Sequence, residues 1–333
     1  MGLHRLGQPS VDGALEADGQ EVVVGARRGN TGRMQALQFT SYGGPEVLSW
    51  ADAPDPHAGA GQVRIAVRAA SVNPIDWKLL SGAMSGGQPL TGTGYLGYDA
   101  AGVVDEIGPE VGDVSVGDDV FGRGQNTHAQ YAVLDSWARK PPSVDWAVAA
   151  AAGVAGETGE RALRLLGVRA GDTVFIDGGA GGVGAVAVQM ALARGARVVA
   201  SASEANQDYL REVGAIPVRY GEGVADRVRA AAGGQVDAVF DVAGKTPIEQ
   251  LTSLVSEPSR VLSIANFAAS QAGARVTGGG EGSRPMGALA EVAELLAQNK
   301  IVIKVQTFPF DRAAEAYRMS QNGHVRGKLV LVP

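Results

Sequence analysis

The spacing of apolar residues changes about 150 residues into the chain. Before that point short runs alternate apolar and polar positions, and turns rich in Pro and Gly separate them. This pattern predicts strands at 35–39, 63–69, 102–107, 119–122 and 129–133. Short strands with frequent turns favour an antiparallel, barrel-like domain.

After residue 150 apolar strands alternate with helices. The pattern predicts helices at 144–155, around 163–166, at 185–193 and from 206, and strands at 173, 197, 236–241, 260–265 and 274–277. This alternation is typical of a doubly wound parallel sheet. The remaining elements are a helix at 288–298, a strand at 301–306, a helix at 313–320 and a strand at 328–332. We expect this last part to return to the first domain.

Residues 1–33 differ from the rest in composition. Gly, Arg, Glu and Gln dominate there, and no apolar stretch of a secretory signal follows Arg5. We interpret 1–33 as a flexible N-terminal extension. The alternative is an arm that packs on a partner subunit.

A glycine-rich turn stands between a predicted strand and a predicted helix. Residues 173–184 read TVFIDGGAGGVG, and Gly179, Gly181 and Gly184 form a G-x-G-x-x-G pattern that also contains Gly182 and Val183. In such a loop Gly179 would allow the sharp turn, Gly181 the approach of a pyrophosphate, and Gly184 close packing of helix on strand. The helix start would supply N–H groups to the anion. The sequence therefore predicts a dinucleotide site, and the alternative is a purely structural turn.

The end of the next predicted strand indicates which dinucleotide binds. A site for NAD places a carboxylate there to hold the ribose 2′-hydroxyl, whereas this chain has Ser201 and Ser203. Small hydroxyl residues leave room for a 2′-phosphate, and Asn206 and Tyr209 could add donors. We therefore expect NADPH. In the alternative Glu204 holds the ribose of NADH, and no arginine stands at the strand tip.

Composition narrows the function further. The net charge of −6 argues against a nucleic-acid partner, and no apolar run is long enough to cross a membrane. The chain has no cysteine, so disulfides, thiolate catalysis and cysteine-ligated zinc are excluded. The four histidines lack metal-ligand spacing, so we expect no metal site. The composition is compatible with a cytoplasmic location.

Several segments in order resemble the medium-chain dehydrogenase/reductase superfamily, and within it the zinc-independent quinone oxidoreductase branch. The similarity covers about 34–333 and is carried by 42–48 (YGGPEVL), 71–78 (SVNPIDWK), 97–104 (GYDAAGVV), 116–122 (VGDDVFG), 187–191 (AVQMA), 241–244 (DVAG) and 323–330 (GHVRGKLV). The resemblance implies an α/β fold, a Rossmann doubly wound parallel sheet inserted into a β-rich GroES-like barrel domain. The implied domains are a GroES-like catalytic domain at 34–152 and 281–333 and a Rossmann NADP(H)-binding domain at 153–280.

The zinc-dependent relatives place a cysteine and a Gly-His-Glu turn around their catalytic metal. This chain has the Asn73 neighbourhood at the first position and Gly97-Tyr98-Asp99 at the second. An Asn and a Tyr do not build a zinc site. Both the residues and the resemblance therefore predict a metal-independent protein.

Without metal or thiol, acceptors that take a hydride readily are favoured, namely quinones and C=C bonds conjugated to a carbonyl. The resemblance implies that Asn73, Asp76 and Lys78 lie at the domain cleft. We name Asn73, Lys78 and Tyr98 as candidate catalytic residues, with Lys78 or Tyr98 as proton donor. The alternatives are that Asn73 caps a helix, that Lys78 is solvated and that Tyr98 is a core aromatic.

The resemblance implies further cofactor contacts. They are Asn73, Asp76, Thr158, Tyr220, Val242, Gly244, Ser263, Ile264, Ala265, Gly327 and Lys328, in addition to the glycine loop. Lys328 could instead be a charge at a strand edge. We expect His128, which precedes a strand, to lie at the surface.

The sequence thus predicts a zinc-independent, NADPH-dependent reductase of quinones, enones or enoyl thioesters. The alternatives are a non-catalytic NADPH-binding protein of the same fold and an alcohol or ketone oxidoreductase. The resemblance also implies a homodimer that pairs sheet edges, for which 260–265 or 274–277 are candidates.

Overall fold

The computed structural model describes residues 32–278, 287–323 and 325–333. The predicted extension 1–33 lies outside these ranges except for its last two residues, and Arg33 already begins the first strand. The strands are β1 (Arg33–Phe39), β2 (Ser49–Pro54), β3 (Val63–Val72), β4 (Gly94–Tyr95), β5 (Asp99–Ile107), β6 (Asp119–Gln125), β7 (Tyr131–Arg139), β8 (Thr173–Asp177), β9 (Arg197–Ala202), β10 (Ile216–Arg219), β11 (Ala238–Asp241), β12 (Val261–Ser263), β13 (Arg275–Val276), β14 (Val305–Pro309) and β15 (Lys328–Val332). The α-helices are α1 (Pro74–Leu80), α2 (Trp146–Leu166), α3 (Gly182–Ala193), α4 (Gln207–Glu212), α5 (Val224–Ala232), α6 (Ile248–Thr252), α7 (Ala288–Ala297) and α8 (Ala313–Asn322).

Two sheets are formed by the first and last parts of the chain. One has three strands in the order β2-β1-β4, and the other has six in the order β14-β15-β3-β5-β6-β7. Because β3 also pairs with β7, the strands β3, β5, β6 and β7 close into a barrel. The C-terminal strand β15 pairs antiparallel with β3, so the end of the chain joins this sheet.

The third sheet is parallel throughout. Its six strands follow the order β10-β9-β8-β11-β12-β13. The order reverses between β8 and β11, and in open α/β sheets ligands bind at the carboxyl ends of strands at such a switch point. The fold class predicted from sequence, a Rossmann sheet combined with a GroES-like barrel, is confirmed.

Helix α2 packs against both six-stranded sheets, the one that contains the barrel strands and the parallel one. Four consecutive alanines, 149–152, are fully buried in one apolar cluster with residues of β8, α3 and the barrel. Gly153 permits the closest approach, since a Cβ there would lie 2.6 Å from Asp99 Cβ. The predicted domain boundary at 152/153 lies inside this helix, and the domain limits stay a prediction.

Some element predictions were wrong. The strand expected at 301–306 is β14 at Val305–Pro309, because Ile301 and Ile303 are buried as core residues in an irregular segment. Strand β10 was missed because Pro217 interrupts its pattern, and its position at a sheet edge tolerates the proline. The segment 260–265 contains β12, which lies inside the sheet, so β13 is the last strand at that end among the described residues. No helix in the described ranges is long and apolar enough to cross a bilayer.

Candidate cofactor and active site

The glycine loop lies between the end of β8 and the start of α3. Gly178 has a left-handed backbone with φ of +89°, and Gly181 is the extended N-cap of α3 with φ of −77°. The sharp turn therefore depends on Gly178, and our expectation that Gly179 supplies it was wrong. The first bond of the helix runs from the Ala185 N–H to the Gly181 carbonyl at 2.8 Å.

Three N–H groups at the start of α3 are available to a ligand. Those of Gly182, Val183 and Gly184 have no hydrogen-bond partner among the described residues. Their dipoles align with the axis of a 12-residue helix and make its N-terminus electropositive. The geometry suits a phosphate group.

The glycines of the loop differ in what a side chain would meet. A Cβ on Gly184 would lie 2.1 Å from the Gly178 carbonyl oxygen, and one on Gly179 would lie 2.7 Å from Ala200 Cβ. These two glycines are required by the packing of the protein itself. A Cβ on Gly181 would meet only the Gly178 oxygen, at an ordinary 3.5 Å. The space beside Gly181 is therefore open toward a ligand.

Ser201 is not exposed at the end of β9, where the cofactor was expected to bind. It is fully buried, its hydroxyl donates to the Asp177 carboxylate, and it accepts the Gly178 N–H at 2.9 Å. Ser201 therefore braces the glycine loop and is not the direct phosphate donor that we expected.

A second serine plays a similar part on β12. The buried Ser263 donates to Asp241 at 2.7 Å, and the Gly244 N–H donates to the other Asp241 oxygen at 2.7 Å. Gly244 lies against Ala265, to which a Cβ would come within 2.7 Å. The segments 242–244 and 263–265 are thus brought together beyond the strand ends, with Val242 and Ile264 partly exposed and Ala265 exposed.

The tip of β9 receives an arginine from the far end of the chain. Arg326 Nε donates to Asn206 Oδ1 at 2.9 Å, and its Nη2 donates to the Ala205 carbonyl at 2.9 Å. Asn206 Nδ2 in turn donates to the Ser203 hydroxyl at 3.2 Å. Arg326 was not predicted from the sequence, because 120 residues separate it from Asn206.

The two predicted tyrosines of the nucleotide site have different surroundings. Tyr209 is 3% exposed, and its ring lies 5.8 Å from Arg326 Cζ and 4.9 Å from Lys304 Nζ. Burial raises the pKa of its phenol. Tyr220 is 53% exposed at the end of β10, and its N–H donates to the Ala202 carbonyl at 3.3 Å. Tyr209 therefore supports Arg326, whereas Tyr220 presents a free aromatic face beside the tip of β9.

A buried polar cluster joins α1, β5 and β15. Asn73 donates through Nδ2 to Asp99 at 2.7 Å and accepts at Oδ1 from Lys328 Nζ. Asp76 accepts the Asn73 N–H at 2.7 Å and the Gly97 N–H at 3.0 Å. All four side chains in this cluster (Asn73, Asp76, Asp99 and Lys328) are at most 4% exposed.

Lys328 connects this cluster to the glycine loop. A Cβ on Gly182 would lie 2.8 Å from Lys328 Cδ, so the lysine side chain passes directly beside the loop. Burial lowers the pKa of Lys328, while Asp99 and Asp76 raise it. Burial also raises the pKa of Asp76 to about 7, opposed by its backbone hydrogen bonds and by Lys328. Lys328 is a buried cation of the site, and the alternative of a strand-edge charge was wrong.

The two candidate proton donors are placed differently. Lys78 is exposed on α1, with Nζ 5.7 Å from the centre of the neighbouring Trp77 ring, whereas Asp76 on the same helix is buried. Tyr98 is half-buried and directly precedes Asp99 in the chain. Burial raises the pKa of its phenol, Asp76 adds to this, and Arg123 opposes it. Tyr98 is therefore the candidate that the structure brings to the site.

His128 is a core residue, and the expected surface position was wrong. It is fully buried, with Nε2 3.0 Å from the Ser71 carbonyl and Nδ1 2.9 Å from the Tyr317 hydroxyl. Burial lowers its pKa to about 4, so the ring is neutral at pH 7. Nε2 therefore donates to the carbonyl, and Nδ1 accepts from the tyrosine.

A buried cluster of charged side chains on β6 and α2 was not predicted from the sequence. Glu157 accepts from both Arg123 and Arg161, the latter at 2.8 Å. Arg161 also donates to Thr277 at 2.7 Å and to Thr158 at 3.4 Å. These five side chains are at most 7% exposed. The predicted cofactor residue Thr158 is thus part of a buried charged network.

Comparisons with known proteins agree with this geometry. Residues 59–140 match the alcohol dehydrogenase GroES-like domain, and residues 217–331 match the family described as zinc-binding dehydrogenase. Within the described ranges, no group of three or more His, Cys, Asp or Glu residues could hold a metal ion. The chain thus matches a family described as zinc-binding, although its described residues offer no such group of metal ligands.

Individual relatives cover most of the chain. The chain is 29% identical to the NADPH-dependent alkenal/one oxidoreductase of Arabidopsis thaliana chloroplasts, over 90% of this chain and 80% of the relative. It is 31% identical to a quinone oxidoreductase from Coxiella burnetii, with a TM-score of 0.77 over 90% of this chain and 99% of the other. A mycobacterial protein solved with NADPH gives 28% identity and a TM-score of 0.76 over 90% and 100% of the two chains.

Proposed function

Because the chain belongs to the medium-chain dehydrogenase/reductase superfamily, we propose that it is an NADPH-dependent oxidoreductase that reduces quinones or C=C bonds conjugated to a carbonyl. Relatives over most of its length are named for these two activities. The observation that carries the proposal is the start of α3, where three N–H groups without a partner among the described residues lie next to the open space beside Gly181.

The residues around this loop fit a nicotinamide dinucleotide. The N–H groups of 182–184 suit the pyrophosphate, and Lys328 passes beside Gly182 to reach Asn73. The segments 242–244 and 263–265 beyond the ends of β11 and β12 would hold the nicotinamide half. When bound, NADPH supplies the hydride. The protein's part is to orient the acceptor and to deliver a proton, for which Tyr98 is the candidate.

The tip of β9 favours the 2′-phosphate of NADPH. Arg326, Asn206 and Ser203 form a connected group of donors there, and Arg326 supplies the positive charge that a phosphate requires. Glu204, which would bind the ribose of NADH, instead pairs with Arg219 at 3.4 Å. The alkenal/one oxidoreductase relative is named as NADPH-dependent, which supports the same choice.

Arg326→Gln should weaken NADPH binding selectively. A charge-assisted hydrogen bond contributes about 1.5–3 kcal/mol, so the Kd for NADPH should rise roughly 10- to 150-fold. The Kd for NADH should change little, because that nucleotide has no 2′-phosphate. Fluorescence titration of both nucleotides measures the two values.

Arg219→Gln is the matched control. Arg219 lies on β10 and pairs with Glu204, so its replacement removes an equal charge near the same strand tip. It should change the Kd for NADPH by less than about threefold. Equal loss of NADH and NADPH binding in Arg326→Gln would show that Arg326 supports the fold and does not contact the phosphate.

We propose that the reaction proceeds without zinc. The sequence contains no cysteine, and Asn73 and Asp99, in the two segments that the resemblance aligns with the metal site of zinc-dependent relatives, bond to each other at 2.7 Å. Acceptors that need no Lewis acid, such as quinones and enones, are therefore the natural substrates. An acceptor of this kind requires stabilisation of the oxygen that gains charge, and then a proton.

The proposal is tested by following NADPH absorbance with purified protein and a panel of quinones and alkenones. We expect oxidation of NADPH that depends on the acceptor, and much slower oxidation of NADH. Treatment with a chelator should leave the rate unchanged. Tight NADPH binding with no turnover of any acceptor would favour a non-catalytic NADPH-binding protein of the same fold.

The proposal extends to the assembly of the protein and its cellular setting. We propose a homodimer that pairs the β13 edges of two parallel sheets, since β13 is the last strand on that side in the described part of the chain. The net charge of −6 supports a small-molecule substrate over nucleic acid, and the lack of cysteine is compatible with the cytoplasm. The division into a catalytic part (34–152 and 281–333) and a nucleotide-binding part (153–280) is also a proposal.

A further inference from the structure

Two guanidinium groups share one carboxylate in the buried network on β6 and α2. Arg123 and Arg161 both donate to Glu157, and the three side chains are 7%, 3% and 1% exposed. A group of two cations and one anion carries a net positive charge. Burying an uncompensated charge is costly, so such a group is expected to meet an anion or a developing negative charge.

Of the two arginines, Arg123 has a hydrogen-bond donor that is not used within the network. Its Nη1 donates to Glu157, whereas its buried Nε has no hydrogen-bond partner among the described residues. Arg161, by contrast, uses Nε, Nη1 and Nη2 on Glu157, Thr277 and Thr158. A guanidinium donor left without a partner in the interior costs about 1–3 kcal/mol or more. Pairing with Glu157 alone therefore does not account for the use of an arginine at position 123.

The position of Arg123 places it in the active region. It lies on β6 opposite Asp99, and the following residue Gly124 donates its N–H to the Tyr98 carbonyl at 3.1 Å. The Arg123 charge is also close enough to Tyr98 to lower the pKa of the Tyr98 phenol, which opposes the increase caused by burial. Arg123 therefore lies beside the candidate proton donor.

The other end of the network reaches the proposed nicotinamide segment. Arg161 bonds Thr277, whose N–H donates to the Ser263 carbonyl at 3.1 Å. The network thus runs from Tyr98 to the 263–265 segment, the two sides between which an acceptor would lie.

We propose that the Arg123 guanidinium binds the carbonyl oxygen of a conjugated enone or quinone and stabilises the oxyanion that forms during reduction. This inference rests on the proposed function. In an enone, the β-carbon gains the hydride, NADPH is oxidised to NADP⁺, the C=C pair shifts toward the carbonyl, and the carbonyl π pair moves to oxygen. The resulting enolate then takes a proton at its α-carbon from Tyr98 or water, which gives the saturated ketone.

Arg123→Gln tests this role. Glu157 keeps its bond to Arg161 at 2.8 Å, so the substitution leaves no unpaired carboxylate and the protein should fold. Loss of one oxyanion donor typically lowers kcat by about 10²- to 10³-fold, and we expect that loss with an alkenone. The Kd for NADPH should stay within about twofold of wild type, because Arg123 does not contact the nucleotide in this proposal.

The acceptor N-methylphenazinium provides the matched control. This cation becomes neutral when it gains a hydride, so it needs no oxyanion donor, and Arg123→Gln should reduce it at the wild-type rate or faster. Arg123→Lys keeps the charge but loses the forked donors, so its kcat with the alkenone should fall about 10-fold. This second variant applies if Arg123→Gln fails to fold.

The outcomes separate this inference from the proposed function. Wild-type protein that oxidises no NADPH with any acceptor would overturn both. Wild-type turnover combined with an alkenone kcat within threefold of wild type in Arg123→Gln would overturn only the role of Arg123. Equal losses with alkenone and phenazinium would also overturn it, since they would indicate a structural arginine.

Discussion

The Gly181→Val variant should fold normally and bind NADPH at least 100-fold more weakly than wild type. Gly181 has an extended backbone with φ of −77° and ψ of 174°, which valine adopts readily. Its Cβ would meet only the Gly178 oxygen, at 3.5 Å, so the free protein has room for a Cβ at this position. The added methyl groups would instead fill the space in front of the N–H groups of 182–184, and a steric cost of about 3 kcal/mol gives the expected loss. Calorimetric titration with NADPH measures it.

Gly184→Ala is the matched control in the same loop. Its Cβ would lie 2.1 Å from the Gly178 carbonyl oxygen, and backbone cannot move away as a flexible side chain can. This variant should therefore lose thermal stability even without nucleotide, whereas Gly181→Val should retain the wild-type Tm within a few degrees. If Gly181→Val bound NADPH with wild-type affinity, the glycine loop would not be the pyrophosphate site.

The glycine loop was predictable because its signal is local. Strand, turn and helix start follow one another within residues 173–193, and glycine is required wherever a Cβ finds no space. The role of each glycine was less predictable, since the left-handed residue proved to be Gly178. Backbone angles depend on the exact register of the turn, which a spacing pattern does not define.

The residues that sequence reasoning missed act over long distances in the chain. Arg326 reaches Asn206 across 120 residues, and Arg161 reaches Thr277 across 116. No periodicity relates such positions, so only the fold brings them together. Ser201 and His128 were misplaced for a related reason: a polar residue in a short segment gives no sign of whether its side chain points inward. Their buried partners, Asp177 and Tyr317, lie 24 and 189 residues away in the sequence.

Lys328→Met should cause the largest combined loss of stability and cofactor binding. Lys328 is 4% exposed and lies near the Asp76 and Asp99 carboxylates, both fully buried. Methionine has a similar length but no charge, so the carboxylates would lose the cation that offsets their burial. Leaving buried carboxylate charge without its compensating cation costs about 3–5 kcal/mol of unfolding free energy. NADPH binding should also weaken, because Lys328 passes beside Gly182.

The pH dependence gives this last prediction a specific signature. A carboxyl group whose pKa is raised by folding binds more protons in the folded state than in the unfolded state, so stability falls as pH rises from the unfolded pKa through the folded one. For Asp76 that window runs from 3.8 to about 7 in wild type, with Lys328 limiting the upper end. Removing Lys328 should extend the window upward, so the Tm deficit of Lys328→Met should be larger at pH 8 than at pH 5. The exposed Lys300→Met should show no such deficit, and an equal deficit at both pH values would mean that Lys328 contributes packing and not charge.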